Sequence, residues 1–247
     1  MIKNSFIHLE NFGLKKERSI WAQGIIVWDD FISSKSLKGI SLLKKRNFDE
    51  SLRKSYNAYY SKDSLFFYKN FPVGEFWRFF EDFKNECVFL DIETNSHCQT
   101  TVVGLYDGEN CNQFIRGYNL DSNNLYEALK DFKLIVSFNG SCFDVPILNK
   151  EFGDVVPNVP HFDLRFGLKK LGFIGGLKNI EKQLDIKRED LIQGVSGADA
   201  IFLWNNYLRS HNKEYLAKLL EYNKADIVNL LPLAEYCYKE LKELYLL

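Results

Sequence analysis

Four carboxylates stand where a divalent metal could use them. Asp91 and Glu93 lie two apart in VFLDIET, at the end of a short apolar run with strand character. That spacing puts both side chains on one face of a strand. Two like charges held side by side repel, and a hard cation bound through oxygens at about 2 to 2.5 Å relieves the repulsion. Asp144 follows a second apolar run, LIVSFN, across the turn of FNGSCFDVPIL. It falls at the start of a helix, with Pro146 in the first turn, where a missing N–H does no harm. Asp226 lies in LLEYNKADIVNLL, four residues after Tyr222, so phenol and carboxylate share one helical face.

Taken singly, each feature has an ordinary structural explanation: solvated acids at an exposed strand end, a helix N-cap, a surface Tyr-Asp pair. Their order along the chain argues for a single site. Asp199 in GADAIFLW is a rival for the last acid, but the residues four and five before it, Val195 and Gly194, cannot orient water. Asp199 therefore reads as a helix N-cap.

The succession D-x-E (Asp91, Glu93), N-x-x-x-F-D (Asn139 to Asp144) and Y-x-x-x-D (Tyr222 to Asp226) resembles the three exonuclease motifs of the DEDD (DnaQ-like) superfamily. Tyr222 matches the DEDDy subgroup, and Glu221 stands where the DEDDh subgroup has histidine. HFDLR (161–165), GGLKNIEKQLDI (175–186), GADAIFLWNNY (197–207) and YNKADIVNL (222–230) are similar to successive blocks of YprB-type ribonuclease H-like proteins, over roughly residues 85 to 240. One departure follows the first motif: relatives often continue Thr-Gly, and this chain has Asn95-Ser96-His97.

The resemblance implies a ribonuclease H-like α/β fold, a mixed sheet flanked by helices, and a metal-dependent 3′→5′ exonuclease acting on the 3′ end of DNA or RNA. It implies two divalent ions, Mg²⁺ or Mn²⁺, about 4 Å apart. Asp91 would bridge them, with Glu93 and Asp226 completing one and Asp144 the other. Tyr222 would orient the attacking water, since a phenol of pKa about 10 is a poor base at neutral pH. Thr94, Asn139 and Phe143 would contact the terminal nucleotide; a turn role for Asn139 and a packing role for Phe143 are equally good explanations. His97 reads as a surface loop residue, and His161 as a packed or capping element, because hard ions prefer oxygen.

Three regions position these groups. Residues 1–62 read as helical, with Ile20, Gly24, Val27 and Phe31 recurring three and four apart. Within them, residues 6–32 resemble a helix-hairpin-helix unit turning at Asn11-Phe12-Gly13, and such turns hold a nucleic-acid phosphate. Lys15, Lys16 and Arg18 are placed to assist; a purely structural hairpin is the alternative. Residues 63–84 form an aromatic connector whose rings read as packing sooner than as a base platform. Residues 85–247 form the ribonuclease H-like domain. Its order is strand (88–93), two strands joined at Asp107-Gly108, a helix (125–132), a strand (134–139), and then mostly helices.

Charge and composition narrow the function classes. The net charge is −1, but residues 1–62 carry 12 Lys/Arg against 6 Asp/Glu, so a basic arm precedes an acidic body. Five scattered cysteines, with no C-x-x-C pair, argue against zinc and for a reducing compartment. No apolar run approaches the ~20 residues of a membrane span, so a cytoplasmic protein is expected. Beside the exonuclease, two other classes remain: an endonuclease cutting structured nucleic acid with the same acids, and a non-catalytic nucleic-acid-binding adaptor. The adaptor reading leaves converging carboxylates unexplained, because they cost stability without metal.

Overall fold

A computed structural model describes residues 1–188 and 197–246. Five strands form one mixed sheet: β1 (Cys87–Thr94), β2 (Thr100–Tyr106), β3 (Cys111–Ile115), β4 (Leu134–Ser137) and β5 (His161–Asp163), in the order β3-β2-β1-β4-β5. β1, β2 and β3 pair antiparallel as a meander, while β4 and β5 add parallel to the other edge of β1. The turn between β2 and β3 is set by Asp107, whose Oδ1 accepts the N–H groups of Glu109 and Asn110 at 2.9 and 2.7 Å.

Helices cover both faces of the sheet. In chain order they are α1 (Leu14–Trp21), α2 (Trp28–Ser33), α3 (Leu42–Tyr60), α4 (Ser64–Asn70), α5 (Phe80–Phe83), α6 (Ser122–Leu129), α7 (Asp144–Phe152), α8 (Leu164–Lys170), α9 (Leu177–Gln183), α10 (Gly197–Ser210) and α11 (Lys213–Leu246). Alternation along β1 divides the core. Val88, Leu90 and Ile92 face α6 and α7, packing with Leu125, Leu129 and Leu148. Phe89 faces the other way, into a core shared with Leu230, Leu233 and Cys237 of α11. Asp91 and Glu93 continue the Phe89 face toward the C-terminal end of β1, so the same helix that seals the core lower down meets the acids with its earlier turns.

The N-terminal region is built differently from a helix-hairpin-helix unit. Residues 1–13 hold only a 3₁₀ turn at Ile2–Asn4 and further tight turns before α1, so the first helix of the expected hairpin does not form. The physical reason is the buried Glu17, whose Oε1 takes the Ser5 hydroxyl and the Phe6 N–H at 2.8 and 2.7 Å. Those donors, together with burial of Ile2, Phe6, Ile7, Leu9 and Phe12, hold the segment as a compact coil. The expected run through Ile20, Val27 and Phe31 is likewise split, with α1 ending at Trp21 and α2 beginning at Trp28. The aromatic connector packs inward as expected. Phe67, Phe76, Phe79, Phe80 and Phe83 join the same core as Phe89 and Phe162 of the sheet, leaving those five rings unable to stack on a base.

Candidate active site

The sheet ends its β1–β4 pairing at Phe89, so the Ile92 N–H has no partner on the β4 side. Asp144, the first residue of α7, fills the gap: its Oδ1 accepts that N–H at 3.0 Å. The connection from β4 to α7 is correspondingly tight. Asn139 adopts φ 68°, a left-handed conformation that asparagine tolerates. The Asn139 N–H donates to Asp163 Oδ1 at 2.8 Å, and Ser141 donates to Asp163 Oδ2 through its N–H and hydroxyl at 3.1 and 2.5 Å. A Cβ on Gly140 would sit 2.3 Å from Ser137 Oγ and 3.3 Å from Asp144 Oδ2. The close approach to Ser137 therefore calls for glycine here.

α11 supplies the other wall. Tyr222 and Asp226 lie one turn apart and both are buried, each 5% exposed. Ligating oxygens of Asp91, Glu93 and Asp226 lie within 4.8 Å of one another. Asp144 stands beside that trio and outside it, close enough to raise the proton affinity of Asp91 and Glu93.

The electrostatics are those of a site waiting for a cation. Burial, followed by the charges of Asp226, Glu93 and Asp144, holds the Asp91 carboxyl well above the usual range. Glu93 is raised by burial and then by Asp226, and Asp144 is pushed by burial to about 7. Asp226 is also raised by burial, opposed by Arg188 and Lys178. Among the described residues Glu93 Oε1 is buried with no hydrogen-bond partner, and Asp226 Oδ1 is met only by the Arg188 guanidinium. An all-oxygen donor set with an orphaned buried oxygen fits a hard divalent ion such as Mg²⁺ or Mn²⁺. The Tyr222 phenol is driven far above its ordinary value by burial and then by Asp226, Glu93 and Asp91, so it stays protonated and acts as a donor.

Several residues at the site were not singled out from the sequence. Asn223, fully buried, donates from Nδ2 to Asp91 Oδ2 at 3.1 Å and accepts from Gln113 Nε2 at 3.0 Å. Gly104 lies opposite Asp91 on β2, where a Cβ would come within 2.2 Å of Asn223 Oδ1. The pair Gly104 and Asn223 thus fixes the aim of Asp91. Arg188 forms an ion pair with Asp226, Nη2 to Oδ1 at 2.5 Å. The same guanidinium is gripped by both oxygens of the buried Glu181 at 2.7 and 2.8 Å, and Asn229 donates to Glu181 at 3.0 Å. Lys178 places its Nζ 4.3 Å from the centre of the Tyr222 ring. A tyrosine followed by asparagine before the acid, and the Lys178-x-x-Glu181 spacing in α9, were the available signals.

A cleft of about 770 Å³ runs past Phe138, Asn139, Arg165, Phe166, Lys169 and Phe173. Phe166 and Ile174 are 45% and 72% exposed. Asn139 lines this cleft, its side-chain oxygen accepting from Arg165 at 2.6 Å. Phe143, 41% exposed, caps the start of α7, and Thr94 ends β1. Lys15 and Lys16 lie apart from this assembly, on α1; Lys16 donates to the Asn11 carbonyl at 2.9 Å, closing its own turn. His161, half-buried, meets the Ser137 hydroxyl at 2.7 Å, and desolvation of its ring lowers its pKa to about 4, which fits a packed role. Asp199, expected as an N-cap, lies inside the first turn of α10, because that helix already begins at Gly197. Val195 and Gly194, used to set Asp199 aside, fall outside the described residues.

A five-stranded mixed sheet in this order, with acids at the C-terminal end of its central strand and on the last helix, defines an α/β fold of the ribonuclease H type. A family model described as the RNase_H superfamily matches residues 88–238, and the chain belongs to that superfamily, whose members are typically phosphodiester hydrolases. No curated protein and no solved structure matches the chain. No described helix is long and apolar enough to cross a membrane.

Proposed function

We propose that the protein is a metal-dependent 3′→5′ exonuclease that removes nucleotides from the 3′ end of single-stranded DNA or RNA. The observation that carries this reading is the convergence of Asp91, Glu93 and Asp226, with Tyr222 buried one helical turn before Asp226. Two Mg²⁺ or Mn²⁺ ions held by Asp91, Glu93, Asp144 and Asp226 would supply the charge that activates water and neutralises the phosphate. Tyr222, kept protonated by its surroundings, orients the water by donating to or packing against it. Asn223 holds Asp91 in place. In the reaction the water oxygen bonds to phosphorus, the bond from phosphorus to the 3′ oxygen breaks, and the leaving 3′-hydroxyl takes a proton. The cleft past Arg165, Phe166 and Lys169 offers cations for phosphates and rings for bases, as single-strand binders do. Thr94, Asn139 and Phe143 stand where the strand enters.

A 5′-labelled single strand incubated with the protein and Mg²⁺ or Mn²⁺ tests the reading. Progressive shortening from the 3′ end, lost in Asp91→Ala and Asp226→Ala, is expected. Internal cuts would replace the exonuclease with an endonuclease, and binding without cleavage would leave an adaptor. Parallel DNA and RNA strands assign the sugar.

A further inference from the structure

The acids have a cationic counterpart whose geometry they do not explain. Arg188 has Nε and Nη2 committed to Glu181 and lies against Asp226 with Nη2. Its place is therefore fixed from both sides, and its side chain is 8% exposed. Lys178 is the opposite case. Its Nζ is inaccessible to water and lies over the Tyr222 ring, within range of the charges of Asp226, Glu93 and Glu181 but with no hydrogen-bond partner among the described residues. An ammonium has three donors, and leaving all of them unmet away from water is costly. Such a group is normally paired, yet the nearby Glu181 is already taken by Arg188 and Asn229.

The geometry points to Lys178 as a substrate-contacting residue, its ammonium taking a non-bridging oxygen of the phosphate that lies over Asp91, Glu93 and Asp226. The inference rests on the reading of those acids as a phosphodiester-cleaving site. Three features support it. The ammonium rests on the Tyr222 ring within range of the charges of Asp226 and Glu93, so a small swing off the ring brings it to an anion held over those acids. The Glu181–Arg188 pair keeps a second cation beside Asp226, which stops Lys178 from simply collapsing onto that carboxylate. α9, which carries Lys178, also carries Ile180 in the wall of the aromatic cleft, so one short helix borders both the cleft and the acids. Lysine suits the task because it is a point charge on a flexible stem, able to follow a phosphate oxygen as the strand is advanced.

The test is binding of a phosphorothioate-ended oligothymidylate in Ca²⁺, read by fluorescence anisotropy over a range of salt. Lys178→Met should weaken binding about tenfold and reduce the slope of log affinity against log salt by about 0.7, the value for one lost phosphate contact on a single strand. Lys178→Arg should restore the slope and most of the affinity. Mn²⁺ binding in the absence of oligonucleotide should be no weaker in either variant, which separates loss of a phosphate ligand from damage to the metal site. If the unsubstituted protein binds and degrades the strand and Lys178→Met shows the same affinity and slope, this assignment is overturned alone. If the unsubstituted protein binds no oligonucleotide, the exonuclease reading falls and takes the assignment with it. Weakened Mn²⁺ binding or a lowered melting temperature in both variants would make Lys178 a structural residue and likewise overturn the assignment.

Discussion

Asp144→Asn isolates the strain stored at the site. Asp144 is 4% exposed, and burial raises its pKa from 3.8 to about 7 against the opposing pull of the Ile92 N–H and its own backbone. A carboxyl raised in the folded state holds its proton there after the unfolded chain has given it up. Its penalty is absent below about pH 4, grows as pH rises, and is complete above about pH 7. At about 1.4 kcal/mol per pH unit, the interval from 3.8 to about 7 is worth roughly 4 kcal/mol. The strain is shared with Asp91, Glu93 and Asp226, so about half of that is the smallest effect consistent with the geometry. Asparagine cannot ionise and keeps an oxygen for the Ile92 N–H. In EDTA at pH 8 the variant should therefore unfold about 2 to 4 kcal/mol less readily, a rise of roughly 4 to 16 °C in Tm for a chain of this size. The advantage should shrink to about 1 kcal/mol at pH 4.5. Urea denaturation at the two pH values measures it directly. Saturating Mg²⁺ should stabilise the unsubstituted protein by mass action and the variant much less. Equal stability at pH 8, or parallel pH dependence of the two proteins, would refute the reasoning that burial strains this acid.

Four further outcomes follow from the same geometry. Gly104→Ala drives a Cβ into Asn223; it should cost about 1 to 3 kcal/mol in urea denaturation and lower nuclease activity about 10- to 100-fold by releasing Asp91. Tyr222→Phe should lower kcat on a labelled strand about 100-fold with little change in KM, and an unchanged kcat would remove the phenol from the reaction. Arg188→Met leaves Glu181 and Asp226 uncompensated, so the metal-free protein should lose about 3 kcal/mol while Mn²⁺ titration shows tighter binding, because no guanidinium then competes for Asp226. Asp91→Asn should abolish both nuclease activity and the Tm rise on adding Mg²⁺.

What the sequence made legible follows from which relations are local. Asp91 and Glu93 share a strand, and Tyr222 and Asp226 share a helix, so fixed periodicities of two and of about four place each pair before any tertiary contact is known. β1 through β4 and α6 were readable for the same reason. β5 was not: three residues, His161 to Asp163, are too few to show alternation, and they become a strand only because β4 offers an edge. The expected hairpin before α1 failed on a similarly non-local cause. Residues 6–12 carry enough apolar side chains for a helix, but a buried Glu17 paired to Arg78, 61 positions away, takes the Phe6 N–H instead.

The same distinction explains why the polar partners of the site were harder to find than the acids. Asn223 acts on Asp91 from 132 positions away, through space left by a glycine on a third element, and no single segment carries that relation. Lys178, Glu181 and Arg188 are local to one another but gain meaning only when α11 brings Tyr222 and Asp226 against them. Half-buried Asp91 and buried Glu93, Asp144 and Asp226 all have raised proton affinities, and Glu93 Oε1 has no partner among the described residues, so this cluster does not stabilise the fold. On the proposed reading, these acids stand beside an orienting asparagine and two cations because a charged ligand arrives after folding, and a metal-bound nucleic-acid phosphate has the charge to offset them.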